Sequence, residues 1–350
     1  MPLFSLLAVS TSVAQPSTNT TNIKDGKGVL EERRVRAYKE MGGDENVIRQ
    51  TVARITKQDG DAPGSWVYEW RVLGEYYEAR GDAFLKTGPK RAAQDAYIAS
   101  IAYYALGWFP RVTNAEESKD YEQQLRVYQK AGKLLDVPLE IVKVPYKDGF
   151  ITTYLHKPIG VEKPALVLYA GGVDQYKANH YRPVQDFLAK GLAVATFDLP
   201  GFGESRQWER DVKSDAHFAM LEHYLKRTDI DTKRISLFGQ SYGAGATLRA
   251  ALRNDPRIKS IVAFCGAMHL GGKNSLVPEW KPGEKLINGP LLVANGTRDP
   301  GSPVADLMST YQSAKEGDLW LLGLGEHCAV EYYPVVMPQV AAWIVEKSAK

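Results

Sequence analysis

Trp66, Trp70, Leu73, Tyr77 and Phe84 recur at three-, four- and seven-residue spacings, the period of a helix with one buried face. Ser65 stands in front of them as a plausible N-cap. The same helical pattern fills most of the first third of the chain. It runs over residues 29–41, where Gly42-Gly43 stops it, and again over 45–58. It resumes over 90–108, where Ala93, Ala96, Tyr97, Ile101, Tyr104 and Ala105 lie on or near one stripe. A last helix runs from an Asn114 cap to about residue 135. Gly88-Pro89 and Phe109-Pro110 separate these segments. No period of about 34 residues recurs, which excludes a tetratricopeptide-type array.

Asp136-Val137-Pro138 marks a change of period. Residues 139–145 and 150–156 alternate apolar and polar around a Lys147-Asp148-Gly149 turn, the pattern of a β-hairpin. Residues 165–170 form a continuous apolar run suited to a central strand, and 192–197 form another. Further short strands are expected at 235–238, 258–264, 290–295 and 318–322. Helical segments are expected at 182–190, 214–227 and 244–252, around Ala305, and at 338–347. Strands alternating with helices predict an α/β fold, a mostly parallel sheet flanked by helices. The expected organisation is a leader at 1–22, an all-helical domain at 23–135 and an α/β domain at 136–350.

Within the α/β part, Gly239-Gln-Ser-Tyr-Gly243 fits G-x-S-x-G between a strand and a helix, the context of a nucleophile elbow. The turn is sharp, so Gly239 and Gly243 stand where a Cβ would clash. It presents the Ser241 hydroxyl and leaves the Tyr242 N–H at a helix N-terminus, where an oxyanion would be stabilised. A serine needs a base to take its proton. Asp299 and His327 each fall in a loop just past a later strand, and the order Ser241, Asp299, His327 suits such a sheet. His327 is expected as general base and Asp299 as the acid that orients it. Asp306 is expected too far along a helix, and Glu326 is expected to point away from its neighbour His327. The Gly171-Gly172-Val173 loop offers the second oxyanion donor through Gly172 or Val173. One such donor is worth about 3 kcal/mol of barrier. Asp198 and Glu204 are read as structural. Cys328 lacks an elbow and is not read as a nucleophile.

These residues, together with Asp198-Leu-Pro-Gly-Phe-Gly-Glu-Ser205, resemble the α/β-hydrolase superfamily from about residue 139 onward. The preceding helices and Gly171-Gly-Val-Asp174 are similar to the group holding 2,6-dihydroxypseudooxynicotine hydrolase, fungal polyketide-shortening hydrolases and FrsA-like esterases. The resemblance implies an α/β-hydrolase fold under a helical lid domain. It implies a serine hydrolase working without a cofactor on an ester or, alternatively, on a carbon–carbon bond beside a ketone. Some of these relatives use an additional acidic residue for the latter, and none is assigned in this chain. Trp66, Trp70 and Tyr77 would roof an apolar pocket for a medium-sized aromatic or acyl substrate. A non-enzymatic helical interaction module on an inert hydrolase fold, and an acyltransferase, are the other readings. The lid could also serve as a homodimer surface.

Composition narrows this only slightly. A formal net charge of +3 over 350 residues gives no ground for nucleic-acid binding or a charged membrane surface. No uninterrupted apolar run has the length of a membrane span. The six histidines and two cysteines show no metal-ligand spacing, so no metal site is expected. Cys265 and Cys328 could pair once with each other, but are expected as free thiols. The first 22 residues join a short apolar run to Ser12-Val13-Ala14 and resemble a secretory signal, though without an initial Lys or Arg. Export is therefore expected, with a cytoplasmic location as the alternative.

Overall fold

The computed structural model describes residues 22–211, 213–268 and 279–349. The expected leader, apart from Asn22, lies outside the described residues. A small hairpin, β1 (Ile23–Lys24) and β2 (Lys27–Gly28), leads into helices α1 (Glu32–Glu40) and α2 (Glu45–Arg54). Three longer helices follow, α3 (Trp66–Thr87), α4 (Lys90–Gly107) and α5 (Ala115–Lys133). α4 is buried on every side from Ala96 to Gly107, which marks it as the centre of the helical layer. Gly74 and Gly81 of α3 leave notches filled by the rings of Tyr104 and Tyr97 from α4, and a Cβ at either glycine would strike the ring. Asn114 and Glu117 form a reciprocal capping box that starts α5. Glu78 of α3 pairs with Lys130 at 2.7 Å and with Arg126 of α5.

The sheet is built from β3 (Glu140–Tyr146), β4 (Gly149–His156), β5 (Ala165–Ala170), β6 (Ala193–Phe197), β7 (Asp231–Gln240), β8 (Ile258–Phe264), β9 (Ile287–Gly296) and β10 (Ala314–Leu322). Between and after them run α6 (Tyr181–Ala189), α7 (Asp215–Tyr224), α8 (Tyr242–Ala251), α9 (Val304–Gln312) and α10 (Tyr333–Ser348). The strand order is β10-β9-β8-β7-β5-β6-β4-β3. Pairing is parallel from β10 to β6 and antiparallel at β6-β4-β3. This is the mostly parallel, helix-flanked sheet expected of an α/β hydrolase. From β5 the chain turns to β6 on one side and then to β7 on the other. That places the switch point, where a ligand crevice opens, between the ends of β5 and β7.

Alternate residues of β5 divide the core. Leu166, Leu168 and Ala170 join the cluster that continues into the helices, through Trp108, Tyr121 and Tyr128. Val167 and Tyr169 join the opposite cluster, with Phe187 of α6 and Met337 and Ile344 of α10. α10 begins five residues earlier than its pattern predicts, at Tyr333 rather than Pro338. Pro334 occupies the first turn, where a missing N–H is harmless, and Pro338 is carried inside the helix by packing. Among the described residues, one stretch, His327–Ser348, reaches the length and mean hydropathy (1.2) of a membrane span, although Glu331 and Glu346 interrupt it. More than half of its apolar stretch is buried within the protein.

Polar contacts tie helices to sheet. Trp108 stacks on Tyr176 at 4.4 Å, and Tyr128 Oη lies 3.0 Å from His156 Nε2. The densest contact surrounds Lys177, which is wholly buried. Its Nζ donates to Asp198 Oδ2 at 2.7 Å and meets Glu204 Oε2 at 2.6 Å. Tyr121 of α5 donates to the same Asp198 oxygen at 2.7 Å. Burial raises the Asp198 carboxyl, but the Lys177 charge and the bonds it receives outweigh this and hold it below its ordinary 3.8.

Lys177→Met strands the Asp198 carboxylate beside Glu204, with an expected loss of about 3–5 kcal/mol in unfolding free energy. The stabilisation from ionised Asp198 is fully present above the ordinary carboxyl value and is lost as pH falls below it. In Lys177→Met burial remains and the cation is gone, so the Asp198 carboxyl is raised instead, and the deficit is largest at neutral pH and shrinks as pH falls. Adding Asp198→Asn recovers part of the loss. Urea unfolding across the acid range checks this, and an unchanged stability and acid limb in Lys177→Met would contradict it.

Candidate active site

Ser241 sits at φ 57° and ψ −119° between β7 and α8. A non-glycine residue pays strain there, of order 1–3 kcal/mol, and holds it only where its surroundings impose it. The surroundings do so. A Cβ at Gly239 would strike the Gly243 carbonyl, and one at Gly243 would strike the carbonyls of Ala170 and Gly171. The Ser241 N–H donates to Phe264 O at 2.8 Å, fixing the turn to β8. The result aims the hydroxyl into the crevice between β5 and β7.

Ser241 Oγ lies 2.8 Å from His327 Nε2, and His327 Nδ1 lies 2.7 Å from Asp299 Oδ2. The structure thus brings together the three residues expected from their loops. Burial raises the Asp299 carboxyl, but hydrogen bonds from His327, Asn295 and the Gly301 N–H, with the His327 charge, pull it down to about 2. The group is therefore ionised at any ordinary working pH. Asp306 stands in the first turn of α9, and Glu326 turns outward to Arg36 at 3.4 Å.

Asn295, at the end of β9, is a fully buried residue that the sequence reading did not single out. Its Nδ2 donates to Asp299 Oδ2 at 2.7 Å. Its Oδ1 accepts from Gly296 N at 2.8 Å and Cys328 N at 3.3 Å. One side chain therefore holds both the acid and the turn that carries the histidine. A polar residue ending an otherwise apolar strand was the available signal.

The loop after β5 brings Gly172 against the serine. A Cβ there would stand 3.2 Å from Ser241 Cβ. Val173 is exposed. The Tyr242 N–H opens α8 and has no acceptor within its own helix. Gln240 fixes the loop, accepting from Tyr169 Oη at 2.8 Å and donating to Gln175 Oε1 at 2.7 Å.

The roof differs from expectation. Trp66 and Trp70 are fully buried in the helical core. The Trp66 indole donates to Leu106 O at 2.7 Å, and Trp70 stacks on Tyr103. Tyr77 packs on Tyr103 as well. None of the three is among the residues lining the cleft at Ser241. The lining comes from α1 and the β5 loop, through Arg33, Arg34, Ala37, Asp174 and Gln175, and leaves about 20 Å³. Arg34 pairs with Asp174 and lies over the Phe109 ring, and Arg33 pairs with Glu31 at 2.7 Å. Helical spacing marks a buried face without naming what buries it.

Cys265 and Cys328 are joined by a disulfide, correcting the expectation of free thiols. Cys265 follows β8 and Cys328 follows the histidine beyond β10, so both reach the same edge of the sheet, on either side of β9. Their Cα atoms are 4.6 Å apart across a sequence separation of 63.

Comparison with known proteins agrees with this architecture. The profile of the family described as Esterase FrsA-like matches residues 50–276. The chain is 24% identical over 213 residues to esterase FrsA of Photobacterium profundum, covering 60% of this chain and 51% of that one. It is 28% identical over 211 residues to esterase FrsA of Yersinia pestis, covering 59% and 50%. It spans about half the length of these curated relatives. Among solved structures, 2,6-dihydroxy-pseudo-oxynicotine hydrolase superposes with a TM-score of 0.75 at 18% identity, over 89% of this chain and 95% of that one. AbyA5 superposes with a TM-score of 0.70 at 18% identity, over 91% and 95%. Those two likenesses establish the fold. With a family match across more than half its length, the chain belongs to the Esterase FrsA-like family.

Proposed function

We propose that the protein is a serine hydrolase that cleaves carboxylic esters through an acyl-enzyme. The observation that carries this reading is the continuous relay from Ser241 Oγ through the His327 ring to Asp299, at 2.8 and 2.7 Å. Membership of an esterase family supports it. Asp299, kept ionised, accepts a hydrogen bond from the Nδ1–H and so leaves Nε2 free to receive the serine proton. Ser241 attacks the ester carbonyl, and the oxyanion forms toward the N–H groups of Tyr242 and Gly172. His327 then passes its proton to the departing alcohol. Water attacks the acyl-enzyme by the same route and releases the acid.

The acyl group taken is short. The cleft offers about 20 Å³ under Arg33 and Arg34, room on the scale of a single water molecule. Its lining sets Arg33, Arg34 and Gln175 beside Ala37 and Val330, and its size favours small esters over the aromatic substrate expected from the tryptophans. The Cys265–Cys328 disulfide supports export, since such bonds persist in oxidising compartments.

Ser241→Ala is expected to lower nitrophenyl acetate turnover by roughly 10⁴-fold or more while the circular dichroism spectrum stays unchanged. Full activity in that variant would remove Ser241 as the nucleophile. Asp299→Asn retains the shape but presents the wrong imidazole tautomer, with an expected fall in kcat of about 10⁴-fold. A fall of only a few-fold would assign the orienting role elsewhere. Across nitrophenyl esters, kcat/KM is expected to decline from acetate to octanoate. A rise with chain length would mean that α1 does not limit the acyl pocket.

A further inference from the structure

We propose that reduction of the Cys265–Cys328 disulfide uncovers a binding site for a soft divalent cation of the zinc type, made of the two sulfurs and the His327 imidazole. The ligand atoms of Cys265, Cys328 and His327 all lie within 4.8 Å of one another. Two thiolates and an imidazole are the donor set that zinc prefers, at about 2.3 Å from sulfur and 2.0–2.1 Å from nitrogen.

The three groups stay together when the S–S bond opens, because the backbone holds them. Cys265 N donates to Ala294 O at 2.7 Å. Cys328 N donates to Asn295 Oδ1 at 3.3 Å. Both anchors are on β9, between the two cysteines. The sulfurs belong to buried residues, so as free thiolates they would be costly, and a bound cation offsets that charge. The His327 side chain is 29% exposed and gives the cation access from the cleft. Three protein ligands and a solvent-facing fourth position make an open site. No spacing in the sequence marks it, since the cysteines are 63 residues apart.

The chemistry balances in two steps. A dithiol or phosphine reductant supplies two electrons, the S–S bond breaks and two thiols form. Zinc then displaces both thiol protons as it binds. Both nitrogens of His327 are already engaged, Nε2 with Ser241 and Nδ1 with Asp299. Coordination through either one breaks the relay. On the proposed function, the reduced, zinc-loaded protein is therefore silent, whereas the oxidised protein ignores zinc.

The test takes the full chain in oxidised form and reduces half of it with a phosphine under anaerobic conditions. Zinc sulfate is added, excess is removed by desalting, and bound zinc and nitrophenyl acetate turnover are measured before and after a chelator. Reduced protein is expected to retain stoichiometric zinc and lose most of its activity, with recovery on chelation. Oxidised protein is expected to retain none and to keep its rate. Cobalt in place of zinc should give thiolate charge-transfer absorption in the reduced protein alone. Cys265→Ser, Cys328→Ser and His327→Ala should each weaken retention. Reduced protein that retains no zinc overturns the proposal, as does zinc held equally well by His327→Ala. Zinc retained with an undiminished rate would instead overturn the catalytic role of His327, since retention and the cobalt spectrum do not depend on activity. The oxidised and reduced wild-type pair needs no variant to fold.

Discussion

A serine at φ 57° between a strand and a helix is tenable only where the residues two positions before and after it have no Cβ and the sheet beneath does not yield. Gly239 and Gly243 meet the first condition by close approach to backbone carbonyls. β7 meets the second, clamped between β5 and β8 in the centre of the sheet. The switch of chain direction at β5 then opens the crevice in front of Ser241. The other parts of the site are placed relative to this turn. Gly172 lies against the serine, where a Cβ would stand 3.2 Å from Ser241 Cβ, and Gln240, one residue before the serine, fixes the loop that carries it. Asn295 holds the acid and the histidine turn from the far side.

The helical layer is joined to the sheet through one continuous core and through buried polar contacts. Lys177, Asp198 and Tyr121 link the loops after β5 and β6 to α5. α1 reaches the cleft by a separate set of charges, with Arg34 on Asp174 and Arg36 on Glu326 beside the histidine. The same contacts that position α1 also restrict the space above the serine. The disulfide adds a third tie at the sheet edge, next to His327.

What was legible in the sequence follows the range of the interactions. Ser241, Gly239 and Gly243 form one local turn whose chemistry is contained in five residues. Asp299 and His327 were readable because each follows a strand, and strand ends share one edge of a parallel sheet. The helices were readable from their period, and the Asn114 cap from its own three-residue contact. The roof was not. Trp66 and Trp70 announce a buried face, but α4 buries it, through contacts such as Trp66 to Leu106, 40 residues away. Arg33 and Arg34 look like ordinary surface charges until α1 is docked. The pairing of Cys265 with Cys328 depends on two strand ends meeting around β9, and no spacing rule contains that. Asn295 had one signal, a polar residue ending an apolar strand, but its role shows only once the acid and the histidine turn are seen on either side of it.

The central claim is that Ser241 is a nucleophile activated by His327. Its most direct measurement is labelling of the native protein with a fluorophosphonate, followed by peptide mass spectrometry, alongside His327→Ala. The account predicts a single phosphonylated peptide containing Ser241, formed rapidly in the native protein and far more slowly in the variant. No label on Ser241, or labelling at the same rate without His327, would contradict it.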